Sequence, residues 1–423
     1  MTAAETGIAD VVVVGGGPAG VAAALELRRA GIGRVVLLDR EGSLGGATRH
    51  CTHSPFGMRE FGRVCLGGAY GRRLAREAQR AGVEVRLNCS VTDLGQDGTL
   101  ALSTPEGAGV IRAKRVLVAT GTREMSRAQR MLPGDRPLGV LTTGTLQAHV
   151  AFHGTMPFRR PVILGSELVS QSAALTCLSH GARPVAMIET GPEPLARAPF
   201  RWFPRLAGIE MLCGARILDI RGATTGADAG RVEAIRIEHR GIQREIACDG
   251  VLLSGHFTPD ATLLRMSGHS LAQGAGGALV DAEGRMENPL YFAAGNVLRP
   301  VETAGWSFRE GRAVGRAIAA DLAADDDVGP VSAPAVRVEF AAPLKAVVPG
   351  LMRRGVQGAP GRFQLRFESA VTGRLCLIAD GREVWARDGR FLPERRVLLP
   401  IPEGLDTASA IRFDVHPAPR GAA

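Results

Sequence analysis

Lysine is almost missing from these 423 residues: Lys114 and Lys345 are the whole supply, and arginine carries the formal charge of +9. Aromatic residues make up only 4%. The arginines are scattered, and no helix-turn-helix or zinc-finger spacing accompanies them, so nucleic acid is not an expected partner. No apolar run approaches the roughly 20 residues that span a bilayer. The first ten residues, MTAAETGIAD, carry no basic region and no cleavage-like segment; no signal peptide is expected, and the default compartment is cytoplasmic. The seven cysteines (Cys51, Cys65, Cys89, Cys177, Cys213, Cys248 and Cys376) are odd in number, widely spaced and never at CxxC spacing. That argues against a disulfide framework, an iron–sulfur cluster or a structural zinc of the chain's own, so no metal is assigned. No Ser-His-Asp set, paired catalytic carboxylates or Walker loop stands out.

What is present is glycine, 55 residues of it, placed with a pattern. In ADVVVVGGGPAGVAAALELRRAGIGRVVLLDR, Val11 to Val14 predict a buried strand, and Gly15, Gly17 and Gly20 fill G-x-G-x-x-G at the turn. An alanine- and leucine-rich helix former follows. Val35 to Leu38 predict a second strand, closed by Asp39 nineteen positions after Gly20. Gly15 permits the tight turn, Gly17 lets a pyrophosphate reach the backbone, and Gly20 lets helix and strand pack closely. The helix N-terminus offers free N–H groups and a positive dipole, and the acid can accept from ribose hydroxyls. The motif by itself does not separate FAD from NAD. Further glycine turns follow strands at Ala119-Thr120-Gly121 and at Gly295-Asn296.

The order of VVVVGGGPAG, LLDR, LGGATRHC, VLVATGTRE, VILGSE, LLSGHFTPDATLL and LYFAAGNV resembles the pyridine nucleotide-disulfide oxidoreductases, FAD flavoproteins with two dinucleotide domains, over about residues 8–325. Within that family, GDRPLGVLTTGTLQ and CTHSPFG resemble a narrower group. It comprises the FAD-bearing α subunits of heteromeric sarcosine, opine and hydroxyproline oxidases, hydrogen cyanide synthase, and flavoproteins that accompany glycerol-3-phosphate-dehydrogenase-like proteins. The resemblance implies that Gly15, Gly17, Pro18, Ala19 and Gly20 hold the FAD pyrophosphate. Asp39 and Arg40 would address the adenosine ribose, Gly46 and Thr48 the ribityl chain, and Val91 the adenine through its backbone. Ala119, Thr120 and Gly121 would close the first half of the domain. Gly295 and Asn296 would meet the ribityl or phosphate region, where the family usually has Asp and this chain has uncharged Asn296.

Classical members carry a redox-active cysteine pair. Here GGATRHCTHSPFG supplies Cys51 alone, with Cys65 fourteen positions on, so dithiol chemistry is not expected. His50, Cys51 and His53 fall where the flavin ring is expected. They are candidates for tuning the flavin or relaying a proton, for metal ligation, or for plain packing. Trp306 and Ser307, in TAGWSFREG, are candidate ring neighbours, though core packing accounts equally well for Trp306. The pair His149 and His153 reads as surface or packing.

A second strand–turn–helix–strand unit, PVILGSELVSQSAALTCLSHGARPVAMIE, keeps Gly165 but has Glu167 and Ser170 where the next glycines belong. A carboxylate at 167 obstructs a pyrophosphate and repels it, by about 1 to 4 kcal/mol for charges some 4 Å apart. Glu189 could serve a ribose or simply end its strand. The expectation is a retained fold with NAD(P) binding doubtful.

The expected architecture is α/β: two Rossmann-like dinucleotide-binding domains, the FAD domain (1–125 and 256–325) split around an NAD(P)-like domain (155–255), then a small all-β C-terminal domain (333–417). AADDDVGPVSAPAV predicts a linker, and Asp380-Gly381 and Asp388-Gly389 predict hairpin turns. The expected function is an FAD-dependent oxidoreductase, the FAD-binding subunit of a heteromeric dehydrogenase or oxidase for a small amine, amino acid or hydroxy acid. Its expected partners are two, a substrate-oxidising flavoprotein and a small iron–sulfur protein. The alternatives are a self-contained NAD(P)H-dependent flavin reductase and a non-catalytic electron-transfer or scaffold subunit.

Overall fold

Unbroken runs of β-branched residues need burial on both faces, and the parallel sheets provide it. The computed structural model describes residues 3–4, 7–328, 335–354 and 361–418. Ala9–Val14 lies between Val35–Leu38 and Gly107–Val118, parallel to both. Glu84–Arg86 and Tyr291–Ala293 extend the parallel core on either side. The start of Gly107–Val118 continues into an antiparallel meander with Thr99–Thr104 and Ser90–Leu94. The chain order reverses between Ala9–Val14 and Gly107–Val118, so a crevice opens beyond Val14 and Val118, where Gly15 and Ala119 lie.

The second lobe repeats this plan. Its parallel strands run Glu210–Cys213, Ala186–Glu189, Val162–Leu164, Val251–Leu253, Val140–Thr142. An antiparallel ribbon, Ala215–Gly222 with Val232–His239 and Ile242–Ala247, is attached. The lobe enters and leaves through Thr122–Glu124, paired antiparallel with Phe257–Pro259. It is inserted in the first lobe, as the split α/β architecture requires.

The long helix Ala304–Val328 lies against Pro18–Arg29 with glycines at the contact. A Cβ on Gly311 would fall 2.0 Å from the Ala19 carbonyl oxygen. The helix runs through the acidic residues expected to be linker, as far as Val328. Of the rest of that linker, 329–334 lie outside the described residues, and Ala335 and Val336 already belong to the strand Ala335–Phe340.

The third lobe is all β, in two sheets. Asp380-Gly381 does turn a hairpin between Val371–Ala379 and Arg382–Phe391, with φ of 46° and 78°. Asp388-Gly389 does not turn: both lie inside Arg382–Phe391, opposite Arg374 and Gly373. Glycine is tolerated there because it faces another glycine, which itself crowds the His416 backbone. Arg362–Phe367 looks like an alternating, half-exposed strand, yet Gln364 and Arg366 are also buried, because their face packs on the first lobe. Phe363 and Phe413 meet edge to face at 5.1 Å on the other side.

Among the described residues no helix is long and apolar enough to cross a membrane. One ion network ties the first sheet to the long helix. Asp321 receives Arg115 and Arg285, the latter at 2.6 Å, with all three side chains at most 3% exposed. Asp321→Ala leaves two buried guanidinium groups without their carboxylate. It should lower stability by about 3–5 kcal/mol, read as a reduced urea midpoint. A midpoint shift under about 1 kcal/mol would show that the network is solvated or replaceable.

Candidate functional site

The first crevice is built around one turn. Gly15 has φ +109°, its N–H donates to the Leu38 carbonyl at 2.8 Å, and a Cβ there would sit 2.5 Å from the Ala119 oxygen. A Cβ on Gly20 would lie 1.9 Å from the Gly15 oxygen. Gly17 is the opposite case: nothing stands within 4 Å of where its Cβ would be. Gly17 is the N-cap of Pro18–Arg29, no side chain caps that helix, and Pro18 fills its first turn. An open glycine at an uncapped helix N-terminus is the geometry that receives an anion.

The surroundings are tethered to this turn. Asp39 is buried; its Oδ2 accepts the Gly16 N–H at 2.8 Å and its Oδ1 the Glu41 N–H at 2.9 Å. Burial raises its carboxyl above the usual range despite these bonds. Each oxygen keeps an acceptor site for a hydroxyl. Gly45 donates to the Gly16 oxygen at 2.8 Å. Gly46 (φ +53°) approaches Gly17 closely, and buried Thr48 donates to the Gly45 oxygen at 2.7 Å. Arg40 is exposed, 3.7 Å from Asp260, and Val91 is half-buried in Ser90–Leu94. Thr120 donates to the Asp260 carbonyl at 2.7 Å beside Gly121 (φ +80°). The residues fit a dinucleotide diphosphate with its ribose.

At the far end the side chains are already engaged. The Gly295 N–H donates to Glu310 at 2.9 Å. Asn296 grips the Glu302 backbone twice, accepting its N–H at 2.9 Å and donating to its carbonyl at 3.2 Å. Its side chain therefore holds the 296–302 turn, and the amide keeps a second donor and a second acceptor site. Ser307 is buried, and Trp306 lies between Arg309 and Arg396, whose guanidinium carbons sit 4.8 and 3.8 Å from the ring centre.

His50, Cys51 and His53 occupy one loop but do not converge on one point. His50 sits edge-on to Phe152 at 6.4 Å and His53 tilts onto Phe56 at 5.2 Å. Burial lowers both imidazoles below the ordinary range. Burial, reinforced by Glu124, pushes the Cys51 thiol up to about 12. A thiol so placed is a poor nucleophile. Sequence reading missed Glu124. Its Oε2 accepts the Gly144 N–H at 2.7 Å, while its buried Oε1 has no partner. The signal was there, an acid closing the strand after Thr120-Gly121, but its proximity to Cys51 comes from the inserted lobe.

The second crevice repeats the first with its gap filled. Gly165 (φ +119°) crowds the Ser254 carbonyl as Gly15 crowds that of Ala119. Ser170, in the place of Gly20, is buried and donates to the Ser254 hydroxyl at 2.9 Å. Glu189 matches Asp39: it accepts the Gly191 N–H at 2.8 Å and the Ser166 hydroxyl. At the Gly17 position stands Glu167, the N-cap of Leu168–Ser179. Its carboxylate crosses the crevice to Gly255, where a Cβ would sit 2.5 Å away. The chain then folds over the turn, with the Leu195 N–H on the Ser166 hydroxyl at 2.9 Å and the Ala196 N–H on its carbonyl at 3.0 Å. Lys345 and Glu394, paired across the third lobe, complete the surroundings. Burial first, then Glu394, push the Glu167 carboxyl up to about 7, against the opposing pull of Lys345.

A carboxyl raised above its unfolded value favours the folded state while protonated. Its contribution is full below about pH 4.5 and is lost as pH climbs towards 7, where the folded state must bury a charge. Glu167→Gln should therefore flatten the decline of thermal stability between those two pH values. Parallel profiles for wild type and variant would refute the assignment. Cys51 should resist iodoacetamide at pH 8 in the native protein and react at the ordinary thiol rate once unfolded, as peptide mapping would report.

The pyridine nucleotide-disulphide oxidoreductase profile matches residues 9–311. The A subunit of opine oxidase from Rhizobium meliloti is 29% identical over 355 residues, 77% of this chain and 64% of that one. The alpha subunit of sarcosine oxidase from R. meliloti (strain 1021) is 29% identical over 269 residues, 59% of this chain and 24% of that one. The chain thus spans less than two thirds of these relatives. Thioredoxin reductase of T. acidophilum superposes with a TM-score of 0.61 at 23% identity, covering 74% of this chain and 98% of that one, a likeness of fold. Two repeated α/β lobes, one inserted in the other, and a glycine turn open at an uncapped helix N-terminus agree with these matches: the chain belongs to the pyridine nucleotide-disulphide oxidoreductase family.

Proposed function

We propose that the chain is the FAD-binding subunit of a heteromeric oxidase or dehydrogenase acting on a small amine, amino acid or hydroxy acid. One contrast carries this reading: the first turn is open at Gly17, and its counterpart is filled by Glu167. In this reading residues 1–125 and 256–325 hold FAD, residues 155–255 serve as a scaffold without NAD(P), and residues 333–417 brace both. The relatives' names, oxidase subunits rather than whole oxidases, support a partner that brings the substrate site. That partner would be a substrate-oxidising flavoprotein, with a small iron–sulfur protein to carry electrons onward.

Bound FAD supplies two-electron chemistry. This chain's own residues do the holding. Gly15, Gly17 and Gly20 with the helix N-terminus receive the diphosphate, and Asp39 accepts from ribose hydroxyls. Gly46 and Thr48 line the path beyond, Ala119 to Gly121 close the crevice floor, and Gly295 and Asn296 fix the turn at its end. His50 and His53, half-buried on one loop, stay candidates for tuning the flavin or relaying a proton.

Purified protein should carry one FAD per chain and show no bleaching with NADH or NADPH in anaerobic buffer. Activity should appear only with a co-expressed partner. Rapid bleaching by either nucleotide would establish the self-contained reductase instead. Gly17→Glu, which places in the first turn what the second already has, should abolish FAD retention while the far-ultraviolet circular dichroism stays unchanged.

A further inference from the structure

The loop between Phe56 and Cys65 closes on itself. Each of the two residues donates its N–H to the other's carbonyl, at 3.0 and 2.9 Å. Its tip, the short helix Met58–Phe61, sits on the start of the long helix. The Glu60 carboxylate lies 2.8 Å from where a Gly305 Cβ would be and accepts the Tyr70 hydroxyl at 3.0 Å. Phe61 packs edge to face on Phe308 at 5.6 Å, with Arg73 over its ring at 4.2 Å. The loop is therefore fixed, and what it presents outward is not an accident of mobility.

It presents apolar side chains rimmed by charge. Met58, Val64 and Leu66 are each more than half exposed. Arg59 and Arg63 on the loop, and Arg72 and Arg76 one turn apart on Gly67–Arg80, are exposed. Among the described residues no carboxylate lies within ion-pair distance of these four. Exposed arginines elsewhere on the surface divide: Arg216, Arg221, Arg337 and Arg374 have such a partner, whereas Arg159, Arg183, Arg205 and Arg240 have none among the described residues. Both acids of the segment are committed, Glu60 to Tyr70 and Glu77 to Arg73 and Arg80. The same segment backs the proposed flavin crevice. A Cβ on Gly71 would lie 3.4 Å from the Thr48 hydroxyl, and one on Gly45 would lie 2.8 Å from the Gly71 Cα.

We infer that this face docks a small acidic electron-transfer protein. The inference rests on the proposed function and deepens it by placing the electron exit. Unpaired guanidinium groups around an apolar centre match a carboxylate-rimmed apolar patch, and such complementarity speeds encounter more than it tightens binding. Three exposed apolar residues give too little area for a permanent interface, which suits a partner that must leave after each delivery. Oxidation of one substrate releases two electrons and two protons. Two acceptor molecules in succession take one electron each, and the protons pass to water.

The test measures binding of an acidic [2Fe–2S] ferredoxin by calorimetry, with basic cytochrome c as the charge-reversed probe. The full chain is compared with a quadruple variant, Arg59→Glu, Arg63→Glu, Arg72→Glu and Arg76→Glu. A control carries the same charge change on the inserted lobe: Arg159→Glu, Arg183→Glu, Arg205→Glu and Arg240→Glu. The ferredoxin should bind wild type and control alike, weaken with salt, and lose about tenfold or more in affinity to the loop variant, while cytochrome c gains. Equal loss in both variants would reduce the effect to net charge and overturn the proposal. So would a ferredoxin that fails to bind wild type, or anionic phospholipid vesicles that bind through these arginines while ferredoxin does not. The two failures are distinguishable: a chain that takes up no FAD sinks the functional reading, whereas a chain that retains FAD but does not bind the ferredoxin through these arginines sinks this inference alone.

Discussion

The closest constraint in the molecule is the approach of bare backbone to bare backbone around one glycine turn, and much of the first lobe is arranged to permit it. A turn that bends at Gly15 and stays open at Gly17 brings strand, helix and crossing strand within contact of one another, so their side chains must vanish where they meet. Gly20 meets the Gly15 oxygen, and Gly311 meets the Ala19 oxygen from the other side. The long helix can press the helix Pro18–Arg29 into place only because both surfaces are stripped of side chains there. Arg312 and Arg316, both reaching Glu26, then add specific contacts beyond the glycine seam.

The second lobe repeats the plan with side chains at two of the three glycine positions. The strained glycine at 165 remains, because the turn itself demands it, but the open position holds Glu167 and the third holds Ser170. Neither is a passive filler. Ser170 adds a buried hydrogen bond to Ser254, and Glu167 reaches across to the strand end at Gly255. Raised to about 7, that carboxyl is near half protonation in neutral solution, so its desolvation cost is moderated where an ionised group would bear it in full. Internal contacts fill this crevice, with the third lobe's Lys345 and Glu394 close by.

What could be read from the sequence is what depends on neighbours along the chain. The valine runs, the spacing of Gly15, Gly17 and Gly20, the acid at 39 and the hairpin at Asp380-Gly381 are local patterns with local causes. What could not be read depends on distant partners. Gln364 and Arg366 look like the wet face of a strand until Arg299 and Glu302, more than sixty residues earlier, take them up. Asp388-Gly389 has the composition of a turn, but pairing with Val371–Ala379 outweighs it. Asn296 reads as a ligand contact, and only the fold reveals that the Glu302 backbone takes its amide. Glu124 carries no motif; its environment is made by the lobe inserted after it.

The all-β lobe is held by buried ions rather than by a broad apolar seam, and that choice has consequences. Arg366 and Arg396 both grip Glu302, and Arg299 joins Glu310 to Gln364. Burying such groups costs desolvation that their attraction roughly repays, so little net stability is expected from them. Arg366 even leaves its Nε and Nη1 without partners. What ion pairs give in exchange for that cost is direction. Apolar surfaces tolerate sliding, whereas a guanidinium fork meets a carboxylate in few poses. The residue so gripped is Glu302, whose backbone Asn296 also holds, at the end of the turn that starts from Gly295. The third lobe therefore sets the position of one specific turn at the crevice rather than merely covering it.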